Sequence, residues 1–195
     1  MDSACEKFIF FIEKFSELHR SLLWEKSKKC NLSPIQIQIL IYLKMNQKDL
    51  RNTTTIANSF NLTPATISES IKNLMEKGLV QSKKCEDDKR KHCFSITPKG
   101  RKQLNQICDW CDPIENLFNA LPEDLKQQFL INCDEVVYQA SKNNLFQRMN
   151  FCYDCKYYVK EPNEVHYCAH FNEEMPREKL VWNCPAFKLK EIKKL

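Results

Sequence analysis

Glycine is nearly absent: the chain of 195 residues has two, Gly78 and Gly100. Pro/Gly-rich linkers and low-complexity segments are missing as well, and the length suits one ordinary domain with a small appendage. No apolar run reaches transmembrane length, so no membrane partner is expected. The acidic start, Met1-Asp2-Ser3, is unlike a signal peptide, which begins basic, and predicts a cytoplasmic protein. Disulfides are rare in that compartment, so the eleven cysteines are expected to be thiols or metal ligands. A nucleophile–base pair, a phosphate loop and an HExxH motif are all lacking, and no enzyme is expected.

What is present centres on Asn61–Gly100. Thr63 can N-cap a helix, and Pro64 suits a first turn, where its missing N–H costs nothing. Ile67, Ile71, Leu74 and Met75 follow at helical spacing, and Gly78 stands where a helix commonly ends. Leu79–Lys84 and Cys93–Thr97 have strand-like composition and flank a charged turn, Cys85–His92. Upstream, Thr53–Phe60 reads as a short helix with Ile56, Ala57 and Phe60 on one side, and Asn61-Leu62-Thr63 as the tight turn. A helix-turn-helix followed by a basic hairpin is a winged helix-turn-helix.

Opposite the apolar stripe of the second helix stand Ala65, Glu69 and Lys72, flanked by Thr63, Thr66, Ser68 and Asn73. Small and hydrogen-bonding side chains allow close approach to base edges and phosphates. Between Ile71 and Leu104 ten Lys/Arg face four Asp/Glu, an excess above the net +5 of the whole chain. The positive field is therefore concentrated here, with Lys84, Lys89, Arg90 and Lys91 on the hairpin.

Asp88-Lys89-Arg90, followed by Phe94-Ser95-Ile96-Thr97-Pro98-Lys99-Gly100, resembles the D-x-R…L-T-x-x-G wing signature of the MarR family of transcription regulators, with Ile96 for the usual leucine. The resemblance spans roughly residues 5–145, and both glycines fall at positions that family uses. It implies that Arg90 enters the minor groove and that Asp88 orients it. An arginine at a hairpin tip suits the negative potential of a narrow minor groove. The resemblance also implies a homodimer in which the first helix joins the last helices. Two recognition helices about one DNA turn apart would read a palindromic double-stranded operator.

Residues 4–29 read as a helix with Phe8, Ile12, Phe15, Leu18, Leu22 and Leu23 at helical spacing; Phe11 and Trp24 add apolar surface. Ser33-Pro34-Ile35-Gln36 is a capping box that starts a helix carrying Ile37, Leu40 and Ile41. Pro98–Leu121 is expected as one long helix, bent near Asp112-Pro113, with Cys108 and Cys111 on its buried face as core filling. A further helix is expected over 123–145. The resulting division is a helical dimerisation region (1–30 and 101–145), a winged helix-turn-helix (31–100) and a Cys-rich extension (146–195). The fold class is mostly α with a small β-wing.

The extension places Cys152-x2-Cys155, Cys168 and Cys184 among interleaved aromatics, with no glycine and few apolar residues. A segment so short and polar cannot hold itself by a core alone, and four thiolates on one metal centre would supply the crosslink. Zinc held by four cysteines usually comes with two CxxC knuckles, and only one is present. The Val181-Trp182-Asn183-Cys184-Pro185-Ala186-Phe187 ending resembles that of a high-potential-iron-protein-type module, which favours a 4Fe-4S cluster over zinc. His166 and His170 flank Cys168 and read as surface histidines.

Two functions compete. One is a dimeric DNA-binding regulator whose cysteine centre senses redox, oxygen or iron, or staples the tail. The other is an electron-transfer or other Fe–S or zinc protein on a winged-helix scaffold. A peroxide sensor using Cys5, or Cys85 and Cys93, is a weaker third. The operator and any small-molecule effector are not legible.

Overall fold

The computed structural model describes residues 3–46, 50–84, 92–145, 150–160, 165–177, 180, 184 and 186–190. The chain divides into two compact units, Met1–Leu117 and Phe118–Leu195.

The first unit begins with α1 (Ser3–Cys30), whose Leu23 is buried in the core while Phe8, Phe10, Ile12 and Phe15 stay exposed. α2 (Pro34–Met45) starts with the expected capping box: the Gln36 N–H donates to Ser33 Oγ, and the Ser33 N–H to Gln36 Oε1. Each bond satisfies a donor that the helix start leaves open. Ile37, Leu40 and Leu43 of α2 have no solvent exposure. At such a position Leu→Ala costs about 2–5 kcal/mol. α3 (Thr53–Ser59) is capped by Asn52, and α4 (Pro64–Glu76) by Thr63. Asn61 takes φ +52°, a left-handed turn conformation that asparagine tolerates, and this reverses the chain between them.

β1 (Val80–Lys84) pairs antiparallel with β2 (His92–Ile96), Val80 opposite Ile96 and Lys84 opposite His92. The core gathers Leu23, Leu40, Ile56, Ile67, Leu74 and Leu104 with the buried ends of the hairpin, Val80 and Phe94. This core holds α4 by one side only and leaves its opposite side to solvent.

The long helix expected from Pro98 is broken. α5 (Pro98–Ile107) gives way to a 3-10 turn, Cys108–Cys111, and then to α6 (Asp112–Asn119). Pro113 lacks an N–H, and its ring clashes with the carbonyl four residues earlier, at Asp109. The ladder is lost around that residue, so the chain tightens through Cys108–Cys111 instead of bending gently at Pro113. Cys108 is exposed and Cys111 half-buried, so the pair is not core filling. Met75 likewise leaves its expected stripe and is 40% exposed.

The second unit contains α7 (Glu123–Lys142) and the Cys-rich extension. A 3-10 turn, Cys152–Asp154, leads to a three-stranded antiparallel sheet of β3 (Tyr158–Lys160), β4 (His166–Cys168) and β5 (Glu173–Glu174), in that order. The extension is fastened to α7 through Tyr138. That ring meets Phe151 edge-on at 5.1 Å and Tyr153 at 5.2 Å, and its hydroxyl donates to Asp154 Oδ1 at 3.4 Å. Phe151 is 2% exposed and anchors the start of the segment. Among the described residues no helix is long and apolar enough to cross a membrane.

Candidate nucleic-acid interface and cysteine cavity

Cys152, Cys155, Cys168 and Cys184 line one cavity of about 20 Å³ in the second unit. The local fold explains the convergence. The 3-10 turn brings Cys155 back under Cys152, its N–H donating to the Cys152 carbonyl at 2.9 Å. The antiparallel register sets Cys168 of β4 opposite Tyr158 of β3. A bridge between Cys155 and Leu189, with the Lys156 N–H on the Lys188 carbonyl at 2.7 Å, ties in the segment after Cys184. Tyr158, Leu180 and His170 complete the wall.

Four thiols around one cavity are a donor set that suits a thiophilic centre. Among the described residues no three His, Cys, Asp or Glu side chains come close enough to share one ion. His166 is buried rather than on the surface, and its Nδ1 lies 2.6 Å from the Tyr158 hydroxyl. Pairing two aromatic side chains across β3 and β4 gives the segment the small core that its composition concealed. Burial, reinforced by Tyr153 and Cys152, pushes the Tyr158 hydroxyl up to about 12.

The second feature is the face of α4. Thr63 accepts from the Thr66 N–H at 3.2 Å, and the two hydroxyls lie 2.9 Å apart. Ile67, Ser70, Ile71 and Leu74 are buried, so Thr63, Ala65, Thr66, Ser68, Glu69 and Lys72 all emerge on the exposed side. Asn73 is half-buried at its edge. Lys72 reaches Glu76 at 3.9 Å, a loose solvent-exposed pair that costs little to break.

The hairpin is fixed to the end of α4 through Thr97. Its hydroxyl donates to the Gly78 carbonyl at 2.7 Å, its N–H donates to the Leu79 carbonyl at 3.0 Å, and its oxygen accepts from the Gly100 N–H. Gly78, at φ +71°, supplies the left-handed residue that ends the helix. Lys99 Nζ donates to the Lys77 carbonyl at 2.8 Å, closing the corner. Lys84 is exposed at the end of β1, while Asp88, Lys89, Arg90 and Lys91 lie outside the described residues. Cys93, half-buried on β2, is disulfide-bonded, which sequence reasoning missed.

A short helix, a turn, an exposed polar helix and an anchored two-stranded hairpin decide the assignment. Residues 32–100 match the family model of the winged helix DNA-binding domain. That domain contains every α4 residue named above, and the four cavity cysteines lie beyond it. An uncharacterized HTH-type transcriptional regulator, YdgG of Bacillus subtilis (strain 168), is 28% identical over 138 residues, covering 68% of this chain and 86% of that protein. Among solved structures, S. aureus MepR in a DNA complex superposes with TM-score 0.58 at 22% identity, covering 68% of this chain and 97% of MepR. The transcriptional regulator BldR from Sulfolobus solfataricus gives 0.55 at 23% identity, over 71% and 99%. A MarR transcriptional regulator from Methanosarcina mazei Go1 gives 0.56 at 19% identity, over 69% and 97%. The winged helix and its flanking helices thus share the fold of MarR-type regulators.

Proposed function

We propose that the protein is a MarR-type transcription regulator, a cytoplasmic homodimer that binds palindromic double-stranded operator DNA and carries a 4Fe-4S cluster on Cys152, Cys155, Cys168 and Cys184. The observation that carries the DNA reading is the one-sided burial of α4, whose exposed face holds Ser68, Glu69 and Lys72 beyond the Thr63 cap. In this reading α4 lies in the major groove, Thr66 and Ser68 contact base edges or phosphates, and Lys72 and Lys84 neutralise phosphates. The wing residues Asp88, Lys89, Arg90 and Lys91 reach the adjoining minor groove. The exposed Phe8, Phe10, Ile12 and Phe15 of α1, and the exposed Leu125, Phe129 and Val136 of α7, suit burial between two protomers.

The cluster reading is supported by four thiols that line one cavity, with one CxxC where a four-cysteine zinc site usually has two. Such a centre supplies one-electron redox chemistry when bound. The chain's own contribution is the set of aromatic side chains around the sulfurs and the Tyr138 clasp that passes a rearrangement of the Cys152 turn to α7. A zinc staple is the second reading, favoured by the small size of the segment.

Anaerobic purification with iron, sulfide and zinc analysis tests the centre; a brown protein with iron and acid-labile sulfide is expected. A colourless protein with one zinc per chain would overturn the cluster. Titration of palindromic DNA at fixed salt tests the regulator. Arg90→Ala is expected to weaken operator binding by about 1–3 kcal/mol. Unchanged affinity would remove Arg90 from the groove, and equal binding by holo and metal-free protein would remove the sensing role.

A further inference from the structure

The first unit holds a second pair of cysteines, at the junction of α5 and α6. A 3-10 turn has about three residues per turn and rises about 2 Å per residue, so side chains at i and i+3 eclipse with Cα atoms about 6 Å apart. Bridged cysteines have Cα separations of about 4.4–6.8 Å. Cys108 and Cys111 are the two ends of such a turn.

Their surroundings differ in a way that suits two roles. Cys108 is exposed, and Lys44 Nζ, from the last turn of α2, donates to its sulfur at 3.7 Å. Cys111 is half-buried; its thiol donates to Glu115 Oε1 at 3.1 Å and lies 3.7 Å from the Cys108 carbonyl. Burial first, then Glu115, pushes the Cys111 thiol up to about 11. One sulfur is open to a partner molecule and has a cation beside it. The other is held as a thiol against the Glu115 carboxylate. The two residues between them hold α1: Asp109 pairs with Lys26, and Trp110 meets His19 edge-on at 5.0 Å.

We propose that Cys108 and Cys111 form a redox-active dithiol that low-molecular-weight disulfides oxidise. The Cys108 thiolate, held by the Lys44 ammonium, attacks one sulfur of the incoming disulfide. The S–S bond of that molecule breaks, its first thiolate leaves and takes a proton from water, and a mixed disulfide stands on Cys108. Cys111 then gives up its proton to water and attacks the Cys108 sulfur. The bond to the external sulfur breaks, and the second thiolate leaves and takes up that proton. Two protein thiols are oxidised to one disulfide while one external disulfide is reduced to two thiols. The order follows from access, because Cys108 is the more exposed of the two. Closure consumes the Cys108 thiolate that Lys44 faces, so the contact with α2 loses its charge on oxidation.

The test uses the full-length protein, purified anaerobically, exposed to oxidised glutathione, quenched with N-ethylmaleimide and mapped by peptide mass spectrometry. The wild type is expected to yield a Cys108–Cys111 disulfide, and Cys111→Ser to stop at glutathionylated Cys108. Glu115→Gln removes the carboxylate that keeps Cys111 protonated and is expected to speed resolution of the mixed disulfide by about threefold or more. Exposed Cys5 on α1 serves as internal reference, and Cys108 is expected to react about tenfold faster. Reaction of Cys108 at the rate of Cys5 would overturn the proposal, as would a wild-type disulfide joining Cys108 to any cysteine other than Cys111. The wild-type map decides this without relying on a variant that must fold.

Discussion

A methyl group placed on Gly100 would overlap the Leu79 carbonyl oxygen and press the Ile96 side chain. Gly100 sits one turn into α5, and Leu79 joins α4 to β1, so a bare Cα is what lets the wing close against the helix that follows it. Gly100→Ala is expected to destabilise the protein by about 1–3 kcal/mol, since neither the backbone nor the core side chain can yield cheaply. A urea midpoint equal to wild type would contradict this.

The Thr63 hydroxyl caps α4 and also contacts Thr66. Thr63→Ala removes an acceptor for the Thr66 N–H and is expected to cost about 1 kcal/mol in chemical denaturation. Thr63→Ser keeps the oxygen and is expected to recover most of it. Identical midpoints for alanine and serine would show that the cap contributes nothing.

Lys72 stands exposed on the reading face, held only loosely by Glu76. Lys72→Ala is expected to weaken binding about equally to specific and unrelated DNA, and to reduce the slope of log K against log salt by about one. A sequence-selective loss with an unchanged slope would instead place Lys72 on a base.

Cys168→Ser removes a thiol from the cavity wall while leaving α7 untouched. Iron and sulfide are expected to fall sharply while the oligomeric state by light scattering is retained. Full metal retention would exclude Cys168 as a ligand.

Among the described residues the buried Tyr153 hydroxyl has no hydrogen-bond partner, although its ring packs between Tyr138 and Tyr158. An unsatisfied buried donor costs about 1–3 kcal/mol. Tyr153→Phe keeps the packing and is expected to stabilise the extension, read as slower proteolysis beyond Asn150. Faster cleavage would mean that the hydroxyl has a role the packing does not reveal.

The winged helix was legible because its signals are local. Thr63-Pro64, the Ser33–Gln36 box and the two glycines each act within a few residues, and each appears where the pattern puts it. What failed depends on contacts or on competing local effects. Pro113 acts backwards, on Asp109, so the helix breaks a turn before the proline that causes it. Cys108 lies in register with Leu104, but the break turns it outward onto Lys44, a neighbour 64 positions away in sequence. His166 looked like a surface residue because its burial comes from Tyr158 across a strand pairing. The four thiols were named from spacing alone, yet their common cavity depends on β-pairings that no spacing encodes.

Tyr138 has one further consequence. Its ring covers Phe151 and Tyr153, and Lys142 lies over it at 5.0 Å. A protein shortened to end just after α7 would leave that aromatic surface wet and would invite self-association unrelated to operator binding.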